Sequence, residues 1–311
     1  MFDLPEPEKS ELSEELQKTE LNWPFIDYVR DGAVASPVAA VEFNGKLEIL
    51  YLRQTENGNV LVHTQFTGSA DKNRAIKVAD GPEFVGISKF KPAVAVYEDL
   101  LFCFYVHADD AAVCYSTYDG TGWKGPHRIQ GRTLSELGAA VRRNKWDDLE
   151  LTLIFKEINP REFIFLHNSG SEWRSTFRRC STPSAPRSGI AAAAFEDKFY
   201  AAFNDILTDN TYILPPSDDD TQPYTQLAIK LTYSAAGSAS ICASKGKLYC
   251  ASAHKSTNAC LISSYSDSVW SEPQAIHGLR LKGSPCLAEF KGDLYLLSVD
   301  AVGVDIFKSE Q

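Results

Sequence analysis

Four residues of this chain, His107, Asp205, His254 and Asp300, stand at or just after the ends of short apolar runs. Four arginines, Arg53, Arg132, Arg187 and Arg280, lie at comparable run ends or in the connections between runs. An imidazole beside carboxylates can give or take a proton near neutral pH. A guanidinium offers a fork of donors that fits the oxygens of an enolate or a carboxylate. In such chemistry His254 and His107 would carry the proton, Asp205 and Asp300 would orient them, and the arginines would hold an anionic or polyoxygenated small molecule. Ordinary polar loops contain the same residue types, so both readings stay open at this level.

The familiar catalytic signatures are missing. The chain has no phosphate-binding glycine loop, no His-Glu-x-x-His, no Cys-x-x-Cys and no Gly-x-Ser-x-Gly. Asp218-Asp219-Asp220 lacks the alternating ligands and central glycine of a calcium loop. The expectation is therefore a protein without metal or cofactor.

Composition bounds the rest. Of the 311 residues, 44% are hydrophobic and 23% charged, enough for a large core in one domain or two. The net charge of −10 argues against nucleic acid or an anionic membrane as partner. No apolar run approaches the roughly 20 residues of a membrane-spanning helix. The start, Met1-Phe2-Asp3-Leu4-Pro5-Glu6, lacks the basic and apolar regions of a secretory signal. Seven cysteines without common spacing and no Asn-X-Ser/Thr sequon fit buried thiols in a reducing compartment, so a cytoplasmic location is expected.

A repeat must position the candidate residues. Trp123-Lys124-Gly125-Pro126 through Gly131 matches Trp270-Ser271-Glu272-Pro273 through Gly278, and Trp23-Pro24 through Asp31-Gly32 is a third version. A second signature, small apolar residues and then a tight turn, recurs from Pro37, Pro92, Ala139, Ile190, Ser240 and Pro285. The six copies are spaced by about 45 to 55 residues, the length of a propeller blade. Each reads as four strands: an Ala/Val-rich strand for the crowded axis, a near-continuously apolar second, an alternating third, and a fourth that opens on Trp. Trp23, Trp123, Trp173 and Trp270 share that position and read as blade packing; Trp146 has no such place.

The last copy stops after three strands near Phe307. Residues 21–30 supply the missing fourth and close the ring, leaving no open edge. The expected fold is all-β, a six-bladed propeller of four-stranded antiparallel blades over residues 21–311, preceded by an acidic extension, 1–20. In that extension Ser10 could cap a short helix carrying Leu12 and Leu16. Loops after the second strands share one mouth of the axis with the blade-to-blade connections, which carry Lys89, Arg132, Arg187 and Arg280. The ends of the second strands carry Arg53, Val106, Phe155, Asp205, His254 and Asp300, followed by His107 and Lys156 in their blades.

The unit best seen in Phe102–Trp123, with Val113–Tyr118 and the turn Asp119-Gly120-Thr121-Gly122, resembles the six-bladed fucose-specific lectins of fungi across residues 20–308. That resemblance implies inter-blade pockets built from an Arg of the second strand, a Glu of the third and an aromatic. Only Arg53 stands at the Arg position, and its third strand, Asn59–Phe66, offers His63 and Gln65 in place of Glu. Avidity needs equivalent pockets, so their loss points to one specialised site. In fold type, length and lost sugar residues the chain is also similar to the fungal hetero-Diels–Alderases of tropolone-sesquiterpene biosynthesis. This second resemblance implies a cofactor-independent pericyclase. It would release a quinone methide from a tropolone or phenol and join it to a hydroxylated humulene-type polyene by [4+2] closure. An Arg would bind the tropolone oxygen and a His would protonate the leaving hydroxyl. The alternative is a fucose-binding or other carbohydrate-binding lectin with degenerate sites. The partner is then a small molecule or glycan, with no nucleic acid and no membrane span, and a homodimer is compatible with either.

Overall fold

The computed structural model describes residues 22–30, 34, 37–56, 58–68, 90–156, 163–170, 172–178, 186–205, 208–214, 228–299 and 303–310. The extension 1–20, Leu21, Lys89, Cys180, the aspartates 218–220 and Asp300 lie outside the described residues.

The described regular structure is all β-strand, arranged as a six-bladed propeller. Blade one comprises Ala39–Phe43, Lys46–Thr55 and Gly58–Phe66. Blade two is complete, from Ala93–Tyr97 through Leu100–Val106 and Ala112–Tyr118 to Trp123–Arg132. Blade three repeats the plan from Gly138–Arg143 to Trp173–Arg178. Blades four and five share one long strand, Ile229–Ser244. Its first part pairs with Asn210–Leu214 of blade four, and its second part is the innermost strand of blade five, on Lys247–His254. The repeat predicts a break there; the chain instead crosses between blades within one strand, kinked at Gly237, where φ is 67° and the pairing with Lys247–His254 shifts register.

The ring closes as the repeat implies. Phe25–Arg30 pairs antiparallel with Gly303–Lys308, from Phe25 opposite Phe307 to Arg30 opposite Gly303. The core supports the same closure. Six hydrophobic clusters lie between successive blades, one at each junction among the described residues. The cluster joining last blade to first contains Leu47, Ile49, Tyr51 and Phe66 against Val29, Phe290, Leu297, Val304 and Ile306. Each fully buried Leu, Ile or Phe contributes about 1.5–3 kcal/mol.

Turn chemistry sets the blade shape. Five of the six inner hairpins turn on two residues, both with positive φ: Asn44-Gly45, Glu98-Asp99, Glu196-Asp197, Lys245-Gly246 and Lys291-Gly292. That is the type I′ geometry whose twist matches the strands. The glycine closing the Trp…Gly signature also has a reason. At Gly131, φ is 124° and an added Cβ would run into the Phe155 ring of the next blade. The four tryptophans pack at junctions as expected: Trp23 is buried, and Trp123, Trp173 and Trp270 lie against three different clusters. Cys103, Cys114, Cys250, Cys260 and Cys286 are buried free thiols and Cys242 a half-buried one, and burial pushes the Cys242 thiol up to about 12. No helix among the described residues is long and apolar enough to cross a membrane.

Candidate functional site

The rim residues turn out to cap their own turns. Three loops after second strands are built alike: Ala111, Asp209 and Asn258 each donate their backbone N–H to the carbonyl four residues back, on His107, Asp205 and His254. The equivalent residues are thus His107, Asp205 and His254, a shift of one from the alignment that sets Val106 beside the other two. In each loop the first side chain meets the residue three places on. Asp205 Oδ2 accepts from Thr208 N at 3.0 Å and from Thr208 Oγ1 at 2.7 Å. His254 Nδ1 lies 2.9 Å from Thr257 Oγ1, and His107 Nδ1 lies 3.1 Å from Asp110 Oδ1. Burial holds the His254 imidazole below its ordinary range. Asp205 is fully buried, its Oδ1 without a hydrogen-bond partner.

These loops do share a face with the blade connections. Thr133, Ala235 and Leu281 donate backbone N–H groups to the carbonyls of Ala111, Asp209 and Asn258. Arg132 and Arg280 end outer strands and are exposed; Arg280 Nη1 donates to the carbonyl of Leu279 at 3.4 Å. Arg187 falls on the strand Pro186–Phe195. Arg53 is half-buried beside the isolated bridge to Val34. Each of the three capping contacts stays within its own loop.

Two polar groups that carry no sequence motif are better organised. The first lies at the junction of blades one and two. His63 Nε2 donates to Glu48 Oε2 at 2.5 Å, and Trp123 Nε1 of blade two donates to His63 Nδ1 at 3.3 Å. Because Nδ1 accepts, the ring proton is assigned to Nε2. Glu48 Oε1 accepts from Gln65 Nε2 at 3.1 Å, and Gln65 Oε1 accepts from Lys46 Nζ at 2.9 Å. Tyr118 and Trp123 stand with ring centroids 5.2 Å apart, and His63 meets both edge-on. Glu48 and His63 are buried, whereas Lys46, Gln65, Tyr118 and Trp123 are half-buried. Their strand alternation supplies the one signal: Glu48 and His63 fall on the face that also carries Leu50, Leu52 and Leu61.

The second lies on the axis. The innermost strands of all six blades line a cavity of about 80 Å³, mostly with Ala, Ile, Val and Leu, but also with Lys91, Glu136 and Ser240. Glu136 precedes the innermost strand of blade three and is buried. Burial raises its carboxyl above the ordinary range against the opposing pull of Lys91, the Ser238 hydroxyl and the Lys91 N–H. Gly189 makes room for it: a Cβ there would overlap Glu136 Cβ and stand 2.8 Å from its Cγ. A lone Glu in Thr133-Leu134-Ser135-Glu136 carries no pattern from which this could be read.

A third group, Arg142, Glu150 and His167 in blade three, is a compact ion-paired cluster. Arg142 Nη2 donates to Glu150 Oε1 at 3.2 Å, and His167 Nδ1 lies 3.1 Å from the same oxygen. Burial pushes the Glu150 carboxyl up, but His167 and Arg142 outweigh it and hold the group low. Among the described residues no group of three or more His, Cys, Asp or Glu could hold a metal ion.

No protein-family model and no curated relative matches the sequence. Solved structures do match in fold. AofleA from Arthrobotrys oligospora superposes with a TM-score of 0.64 at 12% identity, over 90% of this chain and 86% of that one. The Hadza microbial sialidase Hz136 gives 0.63 at 13% identity, over 93% of this chain and 68% of that one. The Aleuria aurantia lectin, solved with α-methyl-L-fucoside, gives 0.59 at 12% identity, over 93% of each chain. That lectin is described as a six-bladed β-propeller with a fucose recognition mode. At such low identity the likeness establishes the architecture: the chain has the six-bladed β-propeller fold seen in fungal fucose-specific lectins.

Proposed function

We propose that this propeller is a carbohydrate-binding protein of the lectin type, with its saccharide site in the cleft between blades one and two. The observation that carries the reading is the Lys46–Gln65 pair, bonded at 2.9 Å beside the rings of Tyr118 and Trp123. A cation on the second strand, a side-chain oxygen on the third and aromatic rings from the next blade are the residue classes that the lectin resemblance calls for. Here Lys46 and Gln65 sit toward the hairpin end of those strands, at the opposite end of the second strand from Arg53, which holds the aligned arginine position. An ammonium and an amide can each bond sugar hydroxyls, while an indole or phenol takes the C–H face of the ring. The fold neighbours include a fucoside complex spanning 93% of each chain, which supports the ligand class. With one such cleft in place of a repeated set, single-site affinity is not multiplied by avidity.

A glycan array followed by calorimetry with α-methyl-L-fucoside tests this. Binding that falls at least tenfold in Gln65→Ala and Lys46→Ala, with unchanged melting temperature in Lys46→Ala, is the expected result; a blank array would refute it.

The second reading is the hetero-Diels–Alderase, and Glu136 is what favours it. A buried carboxyl held toward its protonated form could protonate a leaving hydroxyl at the axial mouth, with Lys91 at the tropolone oxygen and the rim residues His254, His107, Arg132 and Arg280 around it. The cavity counts against it. About 80 Å³ holds a handful of waters, whereas ligand pockets run to roughly 300–1,000 Å³, and this chemistry brings two reactants together. Turnover of a hydroxymethyl tropolone with a hydroxylated humulene would reverse the ranking.

A further inference from the structure

The axis of the propeller holds a cation that the fold does not require. Seven residues before the inner hairpin turn, blades one, four, five and six carry Pro37, Gly189, Ser238 and Ser284, and blade two carries Lys91. Four blades thus close the same ring without a charge at this place. Lys91 is half-buried, and among the described residues its ammonium has neither a hydrogen bond nor an ion pair. Drawing an ammonium out of water is costly unless something answers its charge. Among the described residues that line the axial cavity, only Lys91 and Glu136 are charged types. Glu136 answers Lys91 in part, since the two attract, but burial holds the carboxyl toward its neutral form. The Cys286 thiol of blade six also feels Lys91, and burial pushes it up, so it stays neutral. The cavity therefore carries an unmatched positive charge.

Its donors and its size decide what fits. The carboxyl oxygens of Glu136 already accept from the Ser238 hydroxyl and the Lys91 backbone N–H, so the protonated acid has its own O–H to give. Ser240 Oγ accepts from Leu287 N at 2.9 Å, which leaves the Ser240 hydroxyl proton to donate elsewhere. An ammonium, an acid proton and a hydroxyl form a donor set for an anion with two oxygens. The volume of about 80 Å³ has room for a handful of waters, which excludes a pyranose or an aromatic acid. Most of the remaining wall is Ala, Val, Ile and Leu, which suits a short hydrocarbon end. We propose that the axial cavity binds a short aliphatic monocarboxylate of acetate's size, with its oxygens on Lys91 and Glu136 and its methyl among the inner-strand alanines. This site is separate from the cleft between blades one and two and does not depend on a saccharide there. Glu136 can donate to the anion only while protonated and repels it once ionised, so binding takes up a proton and tightens as pH falls.

The test is calorimetric titration of the full chain with sodium acetate, beside sodium chloride and sodium benzoate at equal ionic strength. Acetate should bind, and chloride and benzoate should bind at least about tenfold more weakly. Lys91→Met should weaken acetate binding about tenfold or more, the loss of one charge-assisted hydrogen bond. Its melting temperature in acetate-free buffer should not fall, because the wild-type ammonium has no bond to lose. Acetate affinity should decline as pH is raised from about 5 to about 8. Glu136→Gln, which keeps a donor and cannot ionise, should flatten that decline. A wild type that binds no acetate, acetate binding that Lys91→Met leaves intact, or chloride or benzoate binding as tightly as acetate would each overturn the proposal. So would a wild-type affinity that does not change with pH.

Discussion

Replacing His63 with leucine should cost far more than a lost contact, because it strands a buried acid. Glu48 and His63 are 1% and 2% exposed. Without the imidazole, Glu48 is left with the Gln65 amide at 3.1 Å, and Trp123 Nε1 loses its bond to His63. Removing one partner of a buried pair costs about 3–5 kcal/mol. Unfolding entropy of about 2.1 cal/mol/K per residue over 311 residues comes to about 0.65 kcal/mol/K. The melting temperature of His63→Leu should therefore fall by about 5–8 °C. Adding Glu48→Met removes the stranded charge as well, and replacing both partners by apolar groups is close to neutral. The double variant should then recover most of the loss, keeping a deficit of about 2 °C for the lost indole hydrogen bond to His63. Calorimetric melts of the two variants at one pH decide the matter. If the double variant melts as low as His63→Leu, the cost is a packing void rather than a stranded carboxylate, and the reasoning fails.

Three other outcomes follow from the fold. Gly189→Ala should destabilise by about 1–3 kcal/mol through overlap with Glu136; a thermal melt of Gly189→Ala with Glu136→Gly should show recovery. The raised carboxyl of Glu136 means that the folded state binds its proton more tightly than the unfolded one. That contribution is complete below the ordinary Glu value of 4.5 and is lost as pH rises through the folded value. Denaturant titrations should accordingly show wild type losing stability relative to Glu136→Gln as pH rises from 4.5, and parallel curves would contradict this. Deleting residues up to Arg30 strips Trp23 and Val29 from buried positions, at about 1.5–3 kcal/mol each. It also bares the edge of Gly303–Lys308, so light scattering should register aggregation that the full chain does not show.

The architecture can be read from residues because its devices are local and repeated. Asn44-Gly45 and Lys291-Gly292 announce their turns, Ala39 and Ala93 announce a crowded axis, and an orphan Trp23 segment matches the strand missing near Phe307. The crossing of Ile229–Ser244 between blades carries one marker, Gly237, and a glycine by itself does not tell a kinked continuous strand from a loop. The site is harder to read. His107, Asp205 and His254 are residue types that suit proton transfer in a pocket, but each sits where a turn needs a cap from within three residues. Glu48 and Gln65 meet across neighbouring strands, and Trp123 joins them from the next blade. Such meetings depend on register and on blade-to-blade packing, which spacing along one chain does not encode.

The most direct test is a crystal grown or soaked with α-methyl-L-fucoside. Sugar density against Tyr118 and Trp123, bonded to Lys46 and Gln65 in the cleft between blades one and two, is the predicted result. Density at several matching junctions, or a sugar-free cleft in crystals whose axial mouth instead takes up a tropolone, would contradict the account.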